Sequence, residues 1–360
     1  MALDLTTRHP YQDLDIDPRV KSVLSSTPLF DGHNDLPQQP RACFHGQINN
    51  NPKFDLSKGF QRGMTDIPRL REGAVGAQFW SICVPCLRSA ENFSTPEYSD
   101  MARDAIEQID LTTRMVQKYP EVFELVHRPR EVKEVLHMAG NSIGIIRAFY
   151  ALGVRYIYLT SLRIVPDKSL ELTKAPIMFS HSNAKAVFDC PRNVPDEILD
   201  MIPANGGIIM VTFVPEHVAT NRKHANMDMV LDHLFYMAKR IGWDHVGLGS
   251  DFDGIASVIP GLDDVRCYPA LLKAILDRGA SEEQLRKVAG ENMIRVWQKV
   301  EDVSCRLQSE GMLPVEDVWE GRQWWRYDGY YQMPDPDPED ELELDWYSVP
   351  PPSEGLYHVD

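Results

Sequence analysis

Residues 33–35, His-Asn-Asp, set an imidazole and a carboxylate two positions apart. On extended backbone, side chains two apart point the same way, so one loop can offer a nitrogen and an oxygen to a single divalent cation. Two further clusters carry the same kinds of group: Ser180-His181-Ser182 and Ser250-Asp251-Phe252-Asp253-Gly254. Histidine and aspartate without thiolates suit zinc or a similar borderline ion. Such an ion lowers the pKa of its bound water to about 7 and makes a nucleophile at neutral pH. A neighbouring carboxylate can accept a proton and hand it to a leaving amine, a role that falls to Asp251. Plainer readings stand beside these. Asp-Gly and Asn-Asp are ordinary turn residues, and a lone histidine at a strand end is more often a hydrogen-bonding partner than a ligand. Three such clusters in one chain favour the metal site.

Each cluster closes an apolar run. Pro28–Gly32, Ala175–Ser180 and His245–Ser250 read as strands that end in His33-Asn-Asp35, His181 and Asp251. Ala74–Val84 is nearly unbroken in apolar residues, as in a strand buried on both faces. Gly206–Val214 and Val154–Leu159 complete six strands. Helices are expected at Pro18–Leu24, from Asp66, over 97–118, at Arg130–His137, at Ser142–Leu152 and over 227–241, where Val230, Leu234, Met237 and Ile241 form a stripe. Ser281-Glu-Glu-Gln284 is a capping box opening a last helix that runs to about Val300. Residues 38–66 read as a long polar loop above the first strand. Strands alternating with helices argue for a parallel α/β architecture, with its chemistry at the carboxyl ends of the strands. A closed barrel of this kind wants eight strands, two more than the pattern yields.

Composition sets bounds. The 360 residues, 43% hydrophobic, allow one large barrel. No apolar run approaches the roughly 20 residues that cross a membrane, and the first ten residues lack a signal-peptide core. The expectation is a soluble, cytoplasmic protein. Net charge is −16, and ten of those charges come from acids after Arg326, where no lysine or arginine occurs. This Pro-rich acidic tail reads as a solvated segment, with partner binding as the lesser alternative. No basic patch points to nucleic acid. Six cysteines make no disulfide framework, and the lone Cys83-Val-Pro-Cys86 reads as buried thiols before it reads as a zinc site. The expected organisation is an arm over 1–27, a barrel over 28–304 and an extension over 305–360.

The chain resembles the renal (membrane) dipeptidase family of binuclear zinc peptidases, its fungal members above all. The resemblance is carried by LFDGHNDLP (29–37), TDIPRLREGAVGAQFWSICVPC (65–86), GNSIGIIRAFYALGVRYIYLT (140–160), APIMFSHSNAKAV (175–187), PRNVPDEIL (191–199), GLGSDFDG (247–254) and AGENMIRVW (289–297), in family order. It implies a (β/α)8 TIM-type barrel that hydrolyses dipeptides with two Zn2+ ions per chain. His33 and Asp35 match ligands of one zinc and His181 a ligand of the other. Arg192 matches the arginine that holds the substrate carboxylate, a task suited to a guanidinium fork; a surface ion pair is the plainer alternative. Asp251 matches the aspartate that contacts the water and the substrate amine. A homodimer is compatible with this reading.

Two segments are shorter than the family pattern. The third strand, which ends in Glu-Gly-x-His in the family, is missing before Met138; Glu134, three residues before His137, stands in register with the glutamate that bridges both zincs. The fifth strand is missing between Thr160 and Leu170, and with it go a substrate-contacting histidine, a ligand histidine and the cysteine that would pair with Cys86. The expected fold is therefore an α/β barrel lacking its third and fifth strands. Three functions compete: a zinc dipeptidase of uncertain activity, a catalytically impaired relic that acts as a binding protein, and a one-metal hydrolase using His33, Asp35, His181 and Asp251.

Overall fold

The computed structural model describes residues 11, 14–49, 51–83, 95–132, 143–146, 170 and 173–312, with the backbone alone at 95–102 and 143–146. Glu134, His137, the expected strand at 154–159 and the acidic tail lie outside the described residues.

Local rules set the element boundaries. Helix α1 (Pro18–Leu24) begins where Asp17 accepts the Arg19 N–H and Pro18 fills the first turn. Strand β1 (Leu29–Asn34) is wholly buried. Helix α2 (Gln38–Phe44) lies inside the stretch read as loop; its sequence, broken by Pro40 and without a side-chain cap, carries no helix signal. Asp66 caps α3 (Ile67–Glu72), and β2 (Val75–Trp80) follows, buried along its length. Helix α4 (Thr95–Lys118) matches the expected one. Strands β3 (Phe123–Val126), β4 (Ile143–Ile146) and β5 (Met178–Phe179) come next. After the short helices α5 (Asp196–Leu199) and α6 (Ile202–Asn205) come β6 (Ile208–Val211), α7 (Met227–Ile241) and β7 (Val246–Leu248). The α7 stripe is buried as its period requires. Helices α8 (Tyr268–Asp277), α9 (Glu282–Arg286) and α10 (Asn292–Ser309) close the described chain. The capping box at Ser281 is present, and a π turn at Lys287–Glu291 joins α9 to α10.

Two expectations are corrected. The helix expected over Ser142–Leu152 is a strand at Ile143–Ile146, where three β-branched residues and a glycine favour extended backbone over helix. The strand at Phe123–Val126 was not expected, because four residues with one exposed glutamate give too short a pattern.

Among the described residues the seven strands form one sheet in the order β3-β4-β2-β1-β7-β6-β5, with every neighbouring pair parallel. All carboxyl ends therefore lie on one edge, and β1 is central. β5 is three places from β1, roughly 14 Å away in a flat sheet. Yet the rings of His33 and His181 have centroids 3.8 Å apart. Met210 of β6 likewise occupies the space beside Gly32 of β1, where a Cβ would come within 2.2 Å of its sulfur. Both contacts require a curled sheet, the parallel half-barrel of an α/β barrel fold. Phe30, Ala77, Phe79, Ile208 and Met210 pack with Met293, Val296 and Trp297 of α10, while the larger apolar cluster packs α1, α7, α8 and α9 against the sheet. No helix among the described residues is long and apolar enough to cross a membrane.

Candidate metal centre

The carboxyl ends of β1 and β7 are tied beyond their strands. The Asp251 N–H donates to the His33 carbonyl at 3.1 Å and the Asp35 N–H to the Phe252 carbonyl at 2.9 Å. Below them, buried Asp31 accepts from the Ser250 N–H at 2.9 Å, the Ser250 hydroxyl at 2.8 Å and Gln78 Nε2 at 3.0 Å. These bonds fix the turn in which Asp251 and Asp253 take left-handed backbone, φ 69° and 67°. Gly254 completes the turn, because a Cβ there would lie 2.1 Å from Asp35 Oδ2 and 2.9 Å from Asp251 Oδ1.

Five of the six expected site residues are described, and they meet. His33 Nε2 is 3.5 Å from Asp35 Oδ2 and 3.6 Å from Asp251 Oδ1. His33, His181 and Asp251 each offer one donor atom, all within 4.8 Å of one another. Arg192 Nη2 is 3.4 Å from His181 Nε2. His33, Asp35 and His181 are buried, and Asp251 is partly open to solvent. Glu134 lies outside the described residues. Cys83 is half-buried in the loop after β2, not in the strand; its backbone pairs with the Gln108 side chain.

Electrostatics separate the two acids. Burial pushes Asp251 up to about 7, helped by Asp35 and opposed by His33. Asp35 feels the same burial, but the His33 imidazole outweighs it and holds its carboxyl below the usual range. Burial works against a charged His33, and the carboxylates of Asp35, Asp251 and Asp31 overcome it, so its pKa lies above the ordinary value. His181 goes the other way, far down, through burial and then through His33 and Arg192. An acid poised near neutrality beside an ionised one is the pattern of a proton-handling pair.

The donor set fits a divalent cation. Two imidazoles and two carboxylates of this kind suit zinc, and buried Asp35 Oδ1 has no hydrogen-bond partner, an acceptor left for a cation. Two more groups stand here: Asp253, which the sequence places in its third cluster without a role, and His217, which it does not single out. Asp253, pushed up to about 6 by burial, accepts the Met64 N–H through Oδ1 and leaves buried Oδ2 without a partner. His217, in the turn after β6, is buried with its Nδ1 unpartnered, and its pKa falls to about 4 through burial and then Arg192. His217 stands six residues past its strand and carries no signal in the sequence.

The sequence matches the model of a family described as Membrane dipeptidase (Peptidase family M19) over residues 18–166 and 163–311. Dipeptidase tcpJ of Claviceps purpurea (strain 20.1) is 35% identical over 342 residues, covering 79% of this chain and 79% of that protein. Dipeptidase verJ of Clonostachys rogersoniana is 34% identical over 357 residues, covering 83% and 90%. A solved structure of the dipeptidase AC, a metallopeptidase of family M19, superposes with a TM-score of 0.61 at 25% identity, covering 76% of this chain and 99% of that one. A metallopeptidase from Rhodobacter sphaeroides, solved with a phosphinate mimic of the dipeptide L-Ala-D-Ala, shares the fold with a TM-score of 0.62 at 23% identity, covering 76% and 99%.

Proposed function

Because the chain belongs to the membrane dipeptidase family, peptidase family M19, we propose that it is a zinc-dependent dipeptidase working at the rim where His33, Asp35, His181 and Asp251 meet. The observation that carries this reading is the convergence of donor atoms from His33, His181 and Asp251, three separate strand ends, within 4.8 Å. Zinc held there supplies Lewis acidity to the scissile carbonyl and to a water. Asp251, the member of the group partly open to solvent, would take a proton from the attacking water and return it to the leaving amine. Arg192, beside His181, anchors the substrate's carboxylate through its fork of donors. Burial of His33 and Asp35 keeps competing water from their donor atoms. In the same proposal the barrel is shortened between Thr160 and Leu170; the family match falls into two pieces that meet at residues 163–166, within that segment, which supports it.

A one-zinc centre is the second reading. The resemblance assigns His33 and His181 to different ions, but their ring centroids are 3.8 Å apart and each offers a donor atom within 4.8 Å of Asp251. One experiment separates the readings. Purified protein is loaded with zinc, washed, and measured for metal content and for amino acids released from a panel of dipeptides. Turnover with two ions per chain supports the two-zinc dipeptidase, and turnover with one supports the second reading. No turnover in well-folded, zinc-loaded protein sinks the enzyme and favours the binding relic.

A further inference from the structure

Ser180 lies at the end of β5, fully buried, between the two imidazoles. Its Oγ is 3.1 Å from His33 Nδ1 and 2.9 Å from His181 Nδ1. One hydroxyl thus touches the same ring nitrogen of two histidines that come from strands three places apart. We propose that Ser180 is a positioning residue: its oxygen accepts from both Nδ1–H groups and so presents both Nε2 lone pairs to the cation. The inference rests on reading His33 and His181 as ligands.

Counting protons supports the assignment. A serine hydroxyl has one hydrogen to give and two lone pairs to accept with, and a neutral imidazole carries its one hydrogen on either nitrogen. Arg192 Nη2 is 3.4 Å from His181 Nε2, and a guanidinium only donates. His181 Nε2 must therefore carry the lone pair, and its hydrogen sits on Nδ1, facing Ser180. On His33, Nε2 is the nitrogen that faces Asp35 and Asp251, the groups that share the cation. A cation there needs the Nε2 lone pair, which leaves the His33 hydrogen on Nδ1, again facing Ser180. With the cation in place of the Arg192 contact, both Nε2 lone pairs would face it, both hydrogens would sit on Nδ1, and Ser180 Oγ would accept twice. Hydrogen-bond partners of this kind fix the ring orientation of a ligating histidine and its tautomer.

The oxygen can do this because the backbone holds it still. A Cβ at Gly249 of the neighbouring chain segment would fall 1.8 Å from the Ser180 carbonyl, so the two backbones are in direct contact. The next peptide is fixed as well, with the Ser182 N–H donating to the Met210 carbonyl at 2.8 Å. An alanine at 180 keeps this backbone and removes the acceptor.

The test reads ring nitrogens directly. In cation-free protein labelled with 15N-histidine, the His181 resonances, assigned by their loss in His181→Ala, should show a protonated Nδ1 and an unprotonated Nε2. Ser180→Ala should move them towards mixed tautomers and weaken zinc binding about 10–100-fold in chelator competition. Ser180→Thr, which keeps the hydroxyl, should restore both. Should Ser180→Ala fail to fold, Ser180→Cys, with its weak acceptor, should give an intermediate shift. A protonated Nε2 on His181 in the unaltered protein overturns the proposal, as does a folded Ser180→Ala or Ser180→Cys with unaltered tautomers and unaltered zinc affinity. These readouts do not need turnover. A protein that hydrolyses no dipeptide yet shows the expected tautomers would refute the dipeptidase reading and leave Ser180 in its role.

Discussion

The two flanks of β1 are built alike and equipped differently. On one side β7, β6 and β5 run out into Ser250-Asp251, His217 and Ser180-His181. On the other, among the described side chains, β2 and β3 supply apolar and aromatic packing: Phe79 on Phe30 at 5.1 Å and on Trp297 at 6.0 Å, Trp80 on Phe123 at 5.4 Å. Asp31 joins them, accepting from Ser250 on one side and Gln78 on the other. The difference teaches that, among the described residues, the candidate ligands outside β1 gather on one half of the rim while the other half holds the sheet in shape.

The largest expected effect is on that side. His181→Ala removes one donor and should weaken zinc binding and dipeptide release on the order of 10³-fold, beyond the ~10–100-fold that follows when a group behind a ligand is lost. Chelator competition and amino-acid release measure the two. The matching cut on the opposite flank is Phe79→Ala. Phe79 is buried between Phe30 and Trp297, so the cavity should cost about 3–5 kcal/mol in denaturant unfolding. Zinc affinity of the folded fraction should stay within about twofold. If Phe79→Ala cost affinity as His181→Ala does, the division of labour between flanks would be wrong.

The equipped flank was the legible one. Asp251 and His181 stand directly after apolar runs, and a charged group there has nowhere to go but the strand end, so sequence pattern and site coincide. His33 and Asp35 were legible for the same reason, at the end of a strand buried on both faces. The packing flank was not. Phe123–Val126 and Ile143–Ile146 are four residues each, and their extended form depends on pairing with each other and with β2, which local pattern does not encode. Helix α2 was hidden by polar composition and Pro40. His217 owes its place to the turn after β6, a tertiary fact. The meeting of His33 with His181 depends on the curl of the sheet, and no spacing in the sequence states it.

A third effect is set by pH. Burial is the main cause that lowers both His217 and His233 to about 4, against about 6.5 in an unfolded chain. The unfolded state therefore binds protons that the folded state refuses. The stability they contribute is whole above pH 6.5 and is lost as pH falls from there towards 4. Asp251 and Asp253, raised to about 7 and about 6, act in the opposite sense, so the protein's own pH curve mixes both. A difference isolates the histidine. His233 Nδ1 accepts the Ala184 N–H at 3.1 Å, a bond that an asparagine oxygen can take over. Between pH 7 and 4.5, His233→Asn should lose about 2 kcal/mol less stability than the unaltered chain. Parallel curves in urea unfolding would show that this histidine does not titrate as its burial requires.

The smallest effect is the sharpest test of the asymmetry, because it compares two bonds to one oxygen. Ser250 Oγ donates to Asp31 Oδ2 at 2.8 Å from the equipped flank, and Gln78 Nε2 donates to it at 3.0 Å from the other. Ser250→Ala and Gln78→Met each remove one hydrogen bond from a buried carboxylate, and each should cost about 1–2 kcal/mol. Their consequences for the cation should differ. Ser250 Oγ also accepts the Phe252 N–H at 3.1 Å, so it braces the turn that holds Asp251 at φ 69°. Without that brace the backbone of Asp251 can relax out of its left-handed form and carry the carboxylate away from His33. Gln78 braces Trp80, accepting its indole N–H at 3.1 Å, and Trp80 faces the packing side. Zinc affinity should therefore fall about tenfold in Ser250→Ala and stay within about twofold in Gln78→Met, with unfolding free energies close to each other. Equal losses of affinity would mean that Asp31 transmits strain to both flanks alike, and that the cradle depends on the whole sheet, not on one side of it.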